Sequence, residues 1–391
     1  MPPVAGHSPA PLDGPRQHAS AVSPSYPPAG RFVEGASPGW TRTHCSEGRD
    51  MGILTRRRAP GRGRDPIEAF WRWWAEDGEG LLTTATRAGD FDAYVEVMTR
   101  RVKHMARGLE WETRTGTAAE HTLCVSSGGD PSLRPVAERW YRASPPATRS
   151  WEFVPARRAQ PDMLDATITY RGRTFDLRRT RVHAAVTRAG DGLIVSVFNP
   201  GFTGQWDDEY GLCVLLLEWL LGEDDVERWL RRVDCIVTDV VDSIPAVDLP
   251  ERVRELAATL PEPGWLVMQG KHGSGEPIVL RVLRPLRWID HPRFDLHSAV
   301  RAIFDADEQG FPTPDALAVL DDLEESIVTP IGMRGMIVAV ETSRGVRTFH
   351  VYSDSEDQNG RDVLDTAARK HRWAGVRHTM DPGWRRVQDF A

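Results

Sequence analysis

The sequence predicts an α+β protein of two domains, the C-terminal one a ferredoxin-like βαββαβ unit with an antiparallel sheet. Three observations carry this. Apolar residues recur at helical spacing from residue 65 to 105. Short strand-like runs bounded by turn residues follow as far as residue 198. After residue 262 the order is strand, helix, strand, hairpin, helix, strand. Pro245, Pro250, Pro261 and Pro263 divide the two parts. The map is a leader (1–64), an α+β domain (65–245), a connector helix (246–261) and the C-terminal domain (262–391).

The leader holds ten of the 29 prolines and no periodic apolar pattern. Such a segment buries too little surface to offset its chain entropy, so disorder is expected. Met51-Gly52-Ile53-Leu54 reads as an ordinary start, and translation is expected to begin there. The arginine run from Arg56 to Arg64 reads as a solvated leader or, less often for such runs, as a nucleic-acid or anionic-lipid tether.

Order begins at Asp65, an N-cap residue followed by Pro66 and by Glu68 at the capping-box position. Ile67, Phe70, Trp71 and Trp74 share one helix face, where an aromatic stripe is core. Phe91, Val95, Met98, Val102 and Met105 mark a second helix. Strands are predicted over 109–115, 122–126, 151–154, 166–170, 182–187 and 193–198, with a helix over 133–143. A longer helical stretch (210–231) has Gly222 as its break, and a buried strand is expected over 235–241.

In the C-terminal domain, strands over 265–269 and 277–283 flank Gly270-Lys271-His272-Gly273-Ser274-Gly275. That loop departs from the phosphate-loop pattern and no helix follows it, so it reads as a hairpin loop. The βαββαβ series then begins with a strand over 298–304. Thr313-Pro314-Asp315 opens a helix with Leu317, Leu320, Leu323 and Ile327 on one side. Strands over 336–342 and 346–352 form a hairpin. A helix carrying Leu364 and Ala367 and a strand over 373–378 complete the unit, before Asp381-Pro382-Gly383-Trp384.

These segments carry a resemblance. An acidic helix (Asp321-Asp322-Leu323-Glu324-Glu325), then Ile331-Gly332 and Gly335, then Arg347-Thr348-Phe349-His350-Val351-Tyr352, then the terminal Asp-Pro-Gly-Trp with Phe390 resemble the uncharacterised bacterial family called domain of unknown function 695. The resemblance covers about residues 262–391. The family is in turn similar to the regulator of ribonuclease E activity B, a small protein inhibitor. It implies a ferredoxin-like fold and a regulatory role, and it brings no catalytic residues.

Composition narrows the function. The chain has 49 basic and 56 acidic residues, nine and four of them in the leader. The part beyond it therefore carries 40 basic and 52 acidic residues, which argues against a nonspecific nucleic-acid binder. The longest apolar stretch, 212–221, is interrupted by Glu218 and is about half a bilayer span, so no transmembrane helix is expected. Four cysteines without a CxxC pair argue against a zinc site or a disulfide framework, and a reduced, cytoplasmic location is expected. The histidines show no metal-ligand spacing. No metal or cofactor is expected.

The candidate residues are few. Glu218 sits inside an apolar helix, where a buried carboxylate has a raised pKa and serves as an acid or base. Asp321, Asp322, Glu324 and Glu325 form an acidic face for a basic partner, or simply a solvated one. Trp384 is a structural clasp or, if exposed, a binding anchor. Ser126-Ser127-Gly128-Gly129 lacks a nucleophile elbow and reads as a helix-entry turn. The leading functional reading is a non-enzymatic protein-interaction or regulatory module with a protein partner. The alternatives are an enzyme or small-ligand binder with a site between the domains, and an RNA-binding module. The last is disfavoured because Phe349 and Tyr352, at odd spacing, occupy opposite sheet faces.

Overall fold

The computed structural model describes residues 41–42, 65–88, 92–272 and 275–390. Expectations about the rest of the leader, the Met51 start, Phe91, and Gly273-Ser274 lie outside the described residues.

Helix α1 (Pro66–Trp73) starts where the sequence predicts, with the Asp65 carboxylate accepting the Ile67 N–H at 3.0 Å. A π turn leads to α2 (Glu79–Ala88), and α3 (Asp92–Met105) follows. The helices cover a sheet of order β1-β2-β3-β4: Thr41–Arg42, Glu110–Thr115, His121–Ser126 and Trp151–Val154. Helix α4 (Arg134–Arg142) connects β3 to its parallel neighbour β4. Between the helices and sheet lie Phe70, Trp71, Trp74, Trp140 and Trp151, all buried. Trp71 stacks on Trp140 at 4.9 Å and donates its indole N–H to the Trp140 carbonyl at 2.8 Å. The aromatic stripe is therefore core, as its spacing predicts.

The next strands form a separate sheet with its own core. A hairpin of β5 (Thr167–Tyr170) and β6 (Arg173–Asp176) precedes β7 (Arg181–Val186) and β8 (Leu193–Phe198). Helices α5 (Trp206–Leu221) and α6 (Glu223–Trp229) lead to β9 (Leu230–Ile236) and β10 (Ile244–Pro245). The order is β10-β7-β8-β9. The strand expected over 235–241 lies earlier: β9 pairs in parallel with β8 from Leu230 to Ile236, and Val237, Val240 and Val241 are exposed. Leu230, Arg231 and Arg232, which begin β9, look helical by propensity, and pairing with β8 overrides them. Helix α7 (Leu249–Thr259) is more than a connector, because Leu249, Val253 and Leu256 enter this core.

A six-stranded sheet follows: β11 (Gly264–Lys271), β12 (Pro277–Arg284), β13 (Leu296–Ile303), β14 (Gly335–Ser343), β15 (Val346–Ser353) and β16 (Ala374–Met380). Its order is β11-β12-β14-β15-β13-β16, with every neighbouring pair antiparallel. The hairpin expected before the βαββαβ series thus extends that sheet at its β14 side. Helices α8 (Pro314–Ile331) and α9 (Gln358–Lys370) pack on the face of Val300, Phe349 and Val351. Tyr352, Val282 and Trp384 form the opposite face. Leu320, Leu323 and Ile327 point into the sheet, but Leu317 is 42% exposed. It sits in the first turn of α8, near the helix end, so the apolar stripe is one position shorter than predicted.

Candidate functional site: a closed polar junction and a tryptophan clasp

The polar groups converge most densely between the first sheet and α5–α6. Gly222 adopts φ +83°, which ends α5 and redirects the chain into α6. A Cβ there would lie 3.0 Å from the Arg157 carbonyl, so the approach also requires glycine. The kink delivers the Glu223 carboxylate to the Ser126-Ser127-Gly128-Gly129 turn. Glu223 accepts the Ser126 and Ser127 hydroxyls at 2.6 and 2.8 Å. It also accepts the N–H groups of Gly129 and Arg157 at 3.1 and 3.2 Å. Burial raises its pKa, but Arg157 and the two hydroxyls outweigh burial and leave it below the usual carboxylate value. The serine–glycine turn is an anion cradle filled by the chain's own carboxylate.

Arg157, on the loop after β4, is the hub. Its Nη1 donates to Glu218 at 3.1 Å, Nη2 meets Glu110, and Nε lies 3.6 Å from Glu112. Burial lowers the guanidinium pKa, and Glu218, Glu110, Glu223 and Glu112 together raise it well above normal. Glu218 is buried, as its position in the apolar run suggested, but it lies in an ion pair. The uncompensated burial that would suit it to acid–base work is absent. Beside it, Arg134 holds Asp224 through two bonds, at 2.8 and 2.9 Å, and reaches Glu138 at 3.0 Å. The cavity left among Ser127, Glu218, Glu223 and Trp288 measures about 10 Å³. That is close to the minimum for a single water.

The C-terminal tail closes one face of the six-stranded sheet. Trp384 is buried, stacks on Tyr352 at 4.5 Å and donates its indole N–H to the Phe294 carbonyl at 2.7 Å. Asp381 accepts the Tyr352 hydroxyl at 2.6 Å and the Arg385 and Arg386 N–H groups at 3.0 Å. Of the two roles the sequence left open for Trp384, the packing is that of a clasp.

The acidic face of α8 is met by cations of the same chain. Glu324 pairs with Arg281, Asp322 lies 3.4 Å from Lys370, and Asp321 lies 3.8 Å from Arg347. Glu325 is exposed. Three of the four carboxylates are thus partly neutralised before any partner arrives.

Other polar groups escaped the sequence reading. Arg139 of α4 reaches Asp295 at 2.9 Å and also bonds Asp354, tying the tryptophan-rich layer to the six-stranded sheet. Ser298, His378 and Asp365 line up, with Oγ 2.8 Å from Nδ1 and Nε2 3.3 Å from Oδ1. The row has the atoms of a hydrolytic triad, but Ser298 is wholly buried beneath α9 and no substrate carbonyl reaches it. No group of metal-ligating side chains occurs among the described residues, and no described helix is long and apolar enough to cross a membrane.

His297 and His350 touch on the tail side of the sheet, Nε2 to Nδ1 at 3.1 Å. Burial pushes His297 down to about 4, against the pull of Asp381, and burial followed by His297 does the same to His350. In the unfolded chain a histidine titrates at about 6.5. Between these values the unfolded state binds more protons, so stability falls as pH drops from about 6.5 to 4. A loss of roughly 3 kcal/mol is expected for each histidine taken alone, read from urea unfolding across that window. His350→Asn is expected to flatten the slope. An unchanged slope would place the acid sensitivity elsewhere.

Comparison with family models, with curated proteins and with solved structures finds no match for this chain.

Proposed function

We propose that this chain is a non-enzymatic, cytoplasmic protein-interaction module of regulatory type that pairs with another polypeptide along β11. In this reading residues 65–245 and 262–391 are two units, and the second is ferredoxin-like with an added hairpin. Its motif resemblance to the uncharacterised family, and through it to a small inhibitor, supports the same reading by analogy of fold.

The observation that carries the proposal is the edge of the six-stranded sheet. β11 is bonded to β12 along all eight residues and ends the strand order. Trp265, Leu266 and Val267 are 46%, 46% and 60% exposed. Neither a proline nor a charge interrupts the strand before Lys271. Edges of this length and apolarity are ordinarily blocked by charge, proline or a bulge, because their free backbone groups template another strand.

The occupant is a second copy of the chain. A two-fold axis through Val267 sets Leu266 opposite Met268 of the other copy and Trp265 opposite Gln269. The same register sets Glu262 opposite His272, next to Lys271, at both ends of the ladder. Sedimentation of the full chain is expected to show a concentration-dependent shift toward twice 43.8 kDa. Val267→Lys is expected to remain monomeric with stability unchanged within about 0.5 kcal/mol. A wild type that stays monomeric, or a dimer indifferent to Val267→Lys, would sink the proposal.

Two alternatives lose support. A ligand site at the Glu218 junction has room for about one water. An RNA-reading sheet needs open aromatics, and Phe349 and Tyr352 are both fully buried, in separate cores.

A further inference from the structure

A second surface points to a different ligand. Residues of α1 and of the end of α3 line an open groove of about 660 Å³. Its charged lining is basic throughout: Arg100, Arg101, Lys103, His104 and Arg107. Phe70 and the start of α1 form the apolar wall. The rest of the chain beyond the leader is acidic, so this concentration of cations runs against the background charge.

Part of the cluster has an ordinary structural explanation. Lys103 and His104 occupy the last turn of α3, where cations complement the helix dipole. That explanation stops within one turn and does not reach Arg100 and Arg101. Among the described residues, Arg100, Lys103 and Arg107 have no ion pair, and all three are exposed. Arg101 lies over the Trp73 ring at 4.2 Å. Burial and then Arg100 lower its pKa, outweighing the opposite pull of Asp77 and Glu76.

We propose that this groove binds a compact polyphosphate ligand of nucleotide size. Its volume falls within the ~300–1,000 Å³ common to small-molecule sites. Arg100 lies three and four residues from Lys103 and His104 on α3, and Arg107 follows in the turn just past the helix end at Met105. Guanidinium groups grip phosphate oxygens two at a time, and the lysine adds a point charge. The negative end of α3 opposes an anion by roughly half a charge, which the four Arg and Lys side chains exceed. The chain beyond the leader carries a net negative charge, which opposes a long nucleic acid, so a small ligand fits better.

The test uses calorimetric titration of the full chain with inorganic tripolyphosphate and, separately, with ATP. Saturable one-to-one binding to both is expected at physiological salt, weakening steeply as salt rises. Arg100→Glu with Arg107→Glu is expected to weaken binding at least tenfold at unchanged melting temperature. If that pair unfolds the protein, Arg100→Gln with Arg107→Gln gives the same reading with smaller loss. Tripolyphosphate binding without ATP binding would still support the phosphate site. No binding of tripolyphosphate, equal binding by a folded charge-altered variant, or binding confined to a single-stranded oligonucleotide would overturn the proposal.

Discussion

Arg157→Met is expected to destabilise the protein by about 3–5 kcal/mol, the cost typical of removing one member of a buried ion pair. The magnitude follows from what remains. Glu218 and Glu112 are buried, Glu110 is partly so, and all three face the vacated guanidinium site. Glu223 keeps its serine and backbone donors but loses the charge that most strongly holds its pKa down. Small domains are stable by only ~5–15 kcal/mol, so such a loss is a large part of the total. Urea unfolding followed by tryptophan fluorescence measures it. Arg157→Met combined with Glu218→Gln is expected to recover part of the loss, because one uncompensated charge is gone. A loss below about 1 kcal/mol would mean that the junction is hydrated and weakly coupled.

Trp384→Ala is expected to cost a similar amount, about 3–5 kcal/mol, by opening a cavity against Tyr352 and leaving the Phe294 carbonyl unpaired. Trp384→Phe separates the two contributions. The ring still packs, and the lost N–H bond accounts for about 1 kcal/mol. Chemical unfolding of both variants gives the ordering wild type, Phe, Ala. If Trp384 were instead a binding anchor, Trp384→Ala would leave stability unchanged and abolish a partner contact.

The legibility of this chain divides along the range of the interactions. Local signals were sufficient for most elements. The Asp65 and Thr313 caps, the Gly222 break and the hairpin joining the strands at 336–342 and 346–352 all involve residues within a few positions of one another. Alternation along 349–352 likewise placed Phe349 and Tyr352 on opposite faces. The junction was not legible, because its partners are remote in sequence. Glu223 and Ser126 are 97 residues apart, and Arg134 and Asp224 are 90 apart. No spacing rule joins them. Ser126-Ser127-Gly128-Gly129 looked like a helix-entry turn, and it does precede α4. Its second role as an anion cradle depends on a carboxylate from another layer. Glu218 was singled out for burial in an apolar run, and burial is what the structure shows. Its partner Arg157 lies 61 residues away, on a loop with no pattern of its own. The shift of β9 toward the N-terminus has the same origin, since pairing with β8 selects the strand.

The β11 edge was visible only as a strand. Its exposure depends on which strands flank it, and that is a property of the assembled sheet. The reading of the protein as an interaction module rests on this edge. The most direct test is amide hydrogen exchange over residues 264–271 of the full chain, measured at low and at high protein concentration. Self-pairing predicts protection that rises with concentration in this segment and is abolished in Val267→Lys. Exchange that is independent of concentration, and identical in wild type and variant, would contradict it.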